Sequence, residues 1–456
     1  MRWSRDRRGE AGENLLHTTE GRRNFQAFSR PALEIVGLLW LAFSLLLEVA
    51  WAELRTEYHL DITVQEQYDD NLTLSSENPQ RDFITTISPG GQLLLDYKTG
   101  KLFLDYHLNG NIYAGHRELD YVGHQARVDF SHSIVRNLTF RFLDNFILSD
   151  EPREVLVPEQ LPPPEAPPSP EEYRIGTRVT RSRYIRNALS PELEWRYGKS
   201  DFVALKYRDE IYRNDEDSSR DSTRDTFGVR GEHWFSSYYG LGYDVSYTKA
   251  HFVTSSDFQG QDGIISLKRR LTPHTLLYIQ GGLTSRDFLE GETVDYTIYR
   301  GSLGAEHSFT KFLSGTMRVG AAYFSPELGK SEVKPEGDAS ITLRWERFRG
   351  SAFVRGGYIE SYGDAENLGL GTYYAMGAAF HYFLLRHLYL ALDGSMGWYD
   401  FPSSGKRTIW QVRPSVNWQV TKWLSATVEY RHLEQTATKA SEYTNNKFFF
   451  RITARY

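Results

Sequence analysis

The sequence predicts an all-β fold, a transmembrane antiparallel up-and-down β-barrel of about 20 strands, with about 18 as the alternative count. Three observations carry that expectation. A secretory leader is followed by a chain with no further long apolar run. Segments of period-two alternation are joined by short turns and longer loops in turn. The last segment is amphipathic and ends on an aromatic residue.

The leader comes first. Residues 1–52 read as a signal peptide with an unusually long n-region, and residues 53–456 as the barrel. Ile35 to Leu47 supplies about thirteen mostly apolar residues, the length of a secretory h-region. Arg22, Arg23 and Arg30 give the positive flank, and Ala50-Trp51-Ala52 matches the small-x-small cleavage pattern. A membrane anchor over Ile35 to Ala52 is the alternative, and Glu48 together with the cleavage site speaks against it.

The composition fits an exported barrel. The 456 residues include no cysteine, so disulfides and thiolate metal sites are excluded. Formal net charge is −6 with both signs interspersed, and no basic patch points to nucleic acid. Mean hydropathy of −0.51 excludes a polytopic helical membrane protein. A barrel tolerates it, because alternate strand residues face a polar interior.

Alternation is clearest from Thr408 to Val420. Trp410, Val412, Pro414, Val416, Trp418 and Val420 alternate there with Ile409, Gln411, Arg413, Ser415, Asn417 and Gln419. Short connections fall at Lys98 to Lys101, Val135 to Asn137, Ser236-Ser237, Thr272 to His274, Thr310-Lys311, Arg386-His387 and Thr421-Lys422. Longer polar ones fall at Asp69 to Arg81, Asn214 to Asp225, Arg286 to Asp295, Pro326 to Lys334, Glu360 to Gly371 and Glu434 to Thr444. Turns at one end and loops at the other describe a membrane barrel with periplasmic turns and extracellular loops. Between Arg178 and Arg213 charge blurs the alternation. Pro162-Pro163-Pro164 and Pro167-Pro168 cannot join a ladder, so residues 151–172 read as a Pro-rich extracellular loop.

Segments of about ten to fourteen residues suit tilted membrane strands and exceed those of a soluble sandwich. Aromatic residues gather near strand ends, as interfacial girdles require. Trp195, Trp345, Trp418 and Trp423 lie near proposed turns, and Tyr323, Tyr358, Trp398 and Trp410 near proposed loops. At the C-terminus Phe448, Phe450, Ile452, Ala454 and Tyr456 take alternate positions, with Arg451, Thr453 and Arg455 between them. Phe448, Phe450, Ile452 and Tyr456 resemble the signal read by the barrel assembly machinery of the outer membrane.

The remaining face would line the lumen with Asp105, Arg127, Asp129, Asp244, Arg318, Arg344, Asp393, Arg413, Glu429, Arg431 and Arg451, beside Asp61, Gln65, His107, Asn109 and Arg455. Mixed charges fit a water-filled channel first, and a plugged, ion-paired interior as the alternative. No spacing marks a catalytic triad, a metal site or a cofactor, and His132 and His307 read as strand-end residues. Asp69-Asp70-Asn71 lacks the rest of a calcium loop and reads as a polar turn, and Asp215-Glu216-Asp217 as a solvated acidic loop tip.

Tyr68-Asp69-Asp70-Asn71-Leu72, together with Asp82-Phe83-Ile84-Thr85-Thr86-Ile87-Ser88-Pro89-Gly90, resembles the opening of a β-barrel porin family of Gram-negative outer membranes, many of whose members are associated with exopolysaccharide production and export. The Leu271-Thr272-Pro273 turn is similar to another feature of that family. The resemblance extends over nearly all of residues 53–456, with the Pro-rich insertion and the long leader as departures. It implies a bacterial outer-membrane barrel in contact with lipid and lipopolysaccharide. A porin-like channel for small solutes is the leading expectation. An exopolysaccharide secretion barrel with periplasmic export partners is the alternative, and an outer-membrane hydrolase the third.

Overall fold

The computed structural model describes residues 54–150, 183–214, 221–253, 255–289, 293–361, 369–439 and 442–456. The expected leader, the Pro-rich loop and the Asp215-Glu216-Asp217 tip lie outside the described residues.

Among the described residues twenty strands succeed one another along the chain. The first five are β1 (Arg55–Asp69), β2 (Asp82–Tyr97), β3 (Gly100–Tyr113), β4 (Tyr121–Val135) and β5 (Leu138–Ser149). Next come β6 (Tyr184–Arg196), β7 (Phe202–Asn214), β8 (Ser222–Trp234), β9 (Tyr239–Phe252) and β10 (Phe258–Thr272). They continue as β11 (Thr275–Phe288), β12 (Tyr296–Ser308), β13 (Leu313–Pro326), β14 (Glu332–Arg344) and β15 (Phe348–Ser361). The last are β16 (Gly369–Leu385), β17 (Leu388–Phe401), β18 (Gly405–Gln419), β19 (Leu424–Ala437) and β20 (Tyr443–Arg455).

Each strand pairs antiparallel with its neighbours in sequence, and β1 pairs with β20 from Asp61↔Arg455 to Asp69↔Lys447. The sheet is therefore a closed up-and-down barrel, the arrangement that satisfies backbone groups without a free edge. Strands run from 12 residues in β5 to 17 in β16, longer than the sequence pattern alone suggested. The extra residues come from the loop ends. Ser222 to Asp225, for example, belongs to β8 although its polarity reads as loop.

Alternation sorts the two faces. Ile265 and Leu267 of β10, Ile279 of β11, Leu303 of β12 and Val319 of β13 are exposed on the outside. Trp195, Trp345, Trp398, Trp418 and Trp423 are exposed as well. Trp410 donates its indole N–H to Glu434 at 2.9 Å and lies against His432.

Four of these strands carry an internal proline, and each proline breaks one ladder. The β2–β3 pairing skips from Ile87↔Gly110 to Gly90↔His107 around Pro89. The β6–β7 pairing skips from Leu189↔Asp209 to Glu192↔Lys206 around Pro191. The β18–β19 pairing skips from Val412↔His432 to Ser415↔Glu429 around Pro414. A proline nitrogen cannot donate, so the loss is the direct consequence of the residue. At Pro335 the outcome is larger. The β14–β15 ladder ends at Gly337↔Gly356 and does not resume, although β14 continues to Glu332 and β15 to Ser361.

Above Gly356 the β15–β16 hairpin leans into the lumen. Glu360 accepts from Arg286 of β11 at 2.7 Å and from Tyr296 of β12 at 2.6 Å, across several intervening strands. Tyr358 packs against Phe324 of β13 with ring centroids 5.7 Å apart and donates to Glu332 at 3.0 Å. This corrects the placement of Tyr358 in the outer girdle, since its ring covers inward-facing side chains of β13 and β14.

Candidate functional site: the barrel lumen

The β6 and β7 segments that looked blurred in the sequence form the most densely charged part of the inner wall. Even-numbered residues face inward there. Glu192, Glu194 and Arg196 lie on one side of β6, and Lys206, Arg208 and Glu210 on one side of β7. The spacing of two is a strand signal, but with charge on the inner face and Asn187 and Asp209 on the outer one, hydrophobicity did not reveal it.

These charges are tied together. Arg141 of β5 donates to Glu192 at 2.9 Å and to Glu194 at 2.8 Å, and Arg230 of β8 donates twice to Glu192 at 2.9 Å. Glu210 receives Arg208 at 2.8 Å and lies 3.7 Å from Arg186. Further round, Arg286 joins Asp262 to Glu360, and Glu336 sits between Arg300 at 3.0 Å and Arg318 at 3.1 Å. Burial of such charges is tolerable because each carboxylate finds a guanidinium partner.

Most of the residues anticipated for the lumen pair locally, away from this network. Arg318 also donates to Asp338 at 2.7 Å, and Asp244 accepts from Lys206. Arg127 meets Asp129 at 3.3 Å, Arg413 meets Asp393 at 3.4 Å, and Arg431 meets Glu429 at 3.0 Å. Arg451 donates to Gln65 at 2.7 Å, and Asp105 meets His107 at 3.1 Å. Register puts Arg344 on the inner face opposite Arg349, near the turn end. The anticipation missed Glu192, Glu210, Arg286, Arg300 and Glu336, which hold the network at its centre.

A cavity of about 1360 Å³ runs along the inner wall from β4 to β16. Nine basic and eight acidic side chains line it, so the two signs are nearly balanced. Asp129, Asp244 and Arg318 are among these; the other anticipated lumen residues lie outside this lining.

At the loop end the inner face turns apolar. Phe252, Phe258, Phe288, Tyr296, Phe324 and Tyr358 succeed one another from β9 to β15 with neighbouring ring centroids 5.7 to 6.1 Å apart. On the opposite side the connection between β1 and β2 enters the mouth. Leu74, 1% exposed, packs with Tyr373, Tyr399, Phe401, Ile409, Leu433 and Tyr443. Leu72, also 1% exposed, packs with Ile84, Tyr113 and Tyr121.

The Asp69-Asp70-Asn71 segment fixes this inserted loop. Asp69 accepts from Asn445 at 2.7 Å and lies 3.1 Å from the Lys447 ammonium, all three side chains being buried. Asn71 donates to the carbonyls of Ser75 and Thr444 at 2.9 Å each and accepts from the Ser75 N–H at 3.0 Å. Asp70 receives both the backbone and the side chain of Asn446 at 2.6 Å. The motif is therefore a clamp between the first loop and β20, a more specific role than a polar turn.

No family model matches the chain, and no curated protein matches its sequence. Solved structures do match its fold. The FrpB iron transporter from Neisseria meningitidis (F3-3 variant) superposes with a TM-score of 0.50 at 9% identity, covering 87% of this chain and 81% of that one. OccAB3 of Acinetobacter baumannii gives 0.39 at 12% identity over 88% of this chain and 99% of the other. The outer membrane protein opdK from Pseudomonas aeruginosa gives 0.39 at 10% identity, with coverages of 88% and 99%. Such identities speak to fold alone. A closed antiparallel barrel with an apolar exterior and a charged interior is a protein of the bacterial outer membrane.

Proposed function

We propose that the barrel is a porin-like channel for passive diffusion of small polar solutes, narrowed at its loop end. The observation that supports this reading is the elongated lumen cavity with its nearly balanced charged lining. Water and small hydrophilic molecules fit such a surface, and paired charges leave little net field to sort ions by sign. Conductance of the membrane-inserted protein across a planar bilayer tests it. Stable steps, small because of the seated loop and weakly selective between cations and anions, are expected. A correctly inserted barrel that conducts nothing overturns the channel reading.

The second reading is a barrel serving exopolysaccharide secretion through periplasmic partners. The inserted Leu72 and Leu74 favour it to one degree, because a long polymer would have to displace them first. Conductance that appears only after that loop is released would favour this alternative.

A further inference from the structure

We propose that the loop end of the β15–β16 hairpin is a two-position gate. Folded inward, as in this structure, it narrows the lumen cavity; returned to the wall beside β14, it widens the mouth. The proposal rests on the lumen being the path of solute, as the channel reading has it, and names the part that regulates that path.

By its alternation the hairpin end belongs to the wall. Val354 of β15 and Tyr374 of β16 are exposed on the outside. Tyr358 and Glu360 follow Val354 at even spacing, and Leu370 precedes Tyr374 in the same way. In a plain cylinder these three would face outward too. Instead Tyr358 and Leu370 pack against Tyr296, Ile298 and Ala322, on the inner side of β12 and β13. The hairpin end therefore lies inside its neighbours, and Tyr358, Ile359 and Glu360 border the cavity.

The edge it left is still in place. β14 keeps its ladder with β13 up to Glu332↔Phe324, but has no register partner in β15 beyond Gly337↔Gly356. Pro335 alone does not account for that loss. At Pro89, Pro191 and Pro414 the ladder skips the proline and the residue before it, then resumes. The same skip here would drop Pro335 and Lys334 only. Continuing the Gly337↔Gly356 register would then set Val333 opposite Glu360 and Glu332 opposite Ser361. A vacant edge with a workable register is the second position.

Hinge, latch and brace are separate groups. Gly357, at φ +154, makes the bend, and glycine can also return to the extended strand. The latch is the Glu360 carboxylate, held by Arg286 at 2.7 Å and Tyr296 at 2.6 Å. The brace is Ile359, which packs from the other side against the cluster that seats Leu74 of the first loop. β15 and β16 stay paired to Ser361↔Gly369, so the swing keeps every ladder bond within the hairpin. It exchanges side-chain contacts for backbone pairing with β14, the kind of exchange that gives two discrete packings.

Two measurements on the membrane-inserted protein, whose chain has no cysteine of its own, test the gate. The first reads release, as the reaction rate of L370C with a small water-soluble thiosulfonate. E360Q/L370C should react several-fold faster, because the amide loses its ion pair with Arg286. Equal rates overturn the latch and with it the gate. The second reads destination, as disulfide formation in E332C/S361C under copper-phenanthroline oxidation. The bond should form, and form faster when E360Q is added. Folded protein that never cross-links, or does so at a rate indifferent to E360Q, rejects the wall position. Should that variant not fold, V333C/E360C tests the same register. The cross-linked barrel should show larger single-channel steps that shrink on reduction, and unchanged steps in a conducting barrel reject the gate. A barrel that never conducts defeats the channel reading, while the thiol rates and the cross-link still decide whether the hairpin moves.

Discussion

Asp144 shows how much one residue can reveal about a wall. It sits midway along β5, and its register partners Val128 and Leu189 put it on the outer face among Phe140, Phe142 and Phe146. It is 8% exposed, and its Oδ1 has no hydrogen-bond partner. An unsatisfied buried polar atom costs about 1–3 kcal/mol, and acids facing lipid near mid-membrane add to that cost. Asp144→Val should therefore stabilise the isolated barrel by about 1–3 kcal/mol, read as a shift of the urea midpoint in liposomes. A loss of stability would instead mean that the carboxyl has a membrane-embedded donor. The sequence held the clue, because Phe140, Phe142, Asp144 and Phe146 form one alternating row with a single acid in it. That row was legible as a strand, whereas the acid in its apolar face drew no notice without the facing register.

At the scale of elements, strand number and order were legible because period-two alternation and turn position follow from backbone geometry. The two departures from a plain cylinder were not. The bend of β15 depends on Pro335, which cannot donate to a ladder, and on Gly357, which lies against the Glu336 side chain, and only the fold brings residues 21 positions apart into contact. The inserted first loop depends on Asn445, Asn446 and Lys447, which lie at the far end of the chain. Leu72 and Leu74 are two apolar residues in a connection read from the sequence only as polar. Their burial is what holds the loop in the mouth, so the double substitution L72S/L74S should release it. Removing two buried leucines forfeits about 2–5 kcal/mol each where a core is rigid, and less in a loop free to relax. Larger single-channel steps, with the unfolding midpoint of the barrel little changed, are the expected result. Unchanged conductance would show that the β15–β16 hairpin, and not this loop, limits the pore.

For the whole molecule the decisive event is closure of β1 on β20, which turns a sheet with two edges into a barrel with none. Tyr456 stands at that junction. It exchanges backbone hydrogen bonds with Leu60, N–H to carbonyl at 2.8 Å and carbonyl from N–H at 3.0 Å, while its side chain is 86% exposed. Phe448, Phe450 and Ile452 line the same outer face on the loop side of it. The ring of Tyr456 thus adds little to the closed barrel, although the sequence singles it out as part of an assembly signal. Those two roles separate experimentally. Tyr456→Ala keeps both backbone bonds, so the protein refolded in detergent should show the same heat-modifiable migration and the same urea midpoint as wild type. If the terminal aromatic residue is read by the assembly machinery, the same variant made in cells should accumulate less in the outer membrane. A drop in refolded stability equal to the drop in cellular yield would assign the ring to closure itself. Unchanged yield would remove it from the signal, leaving Phe448, Phe450 and Ile452 as the alternating face by which the strand is recognised.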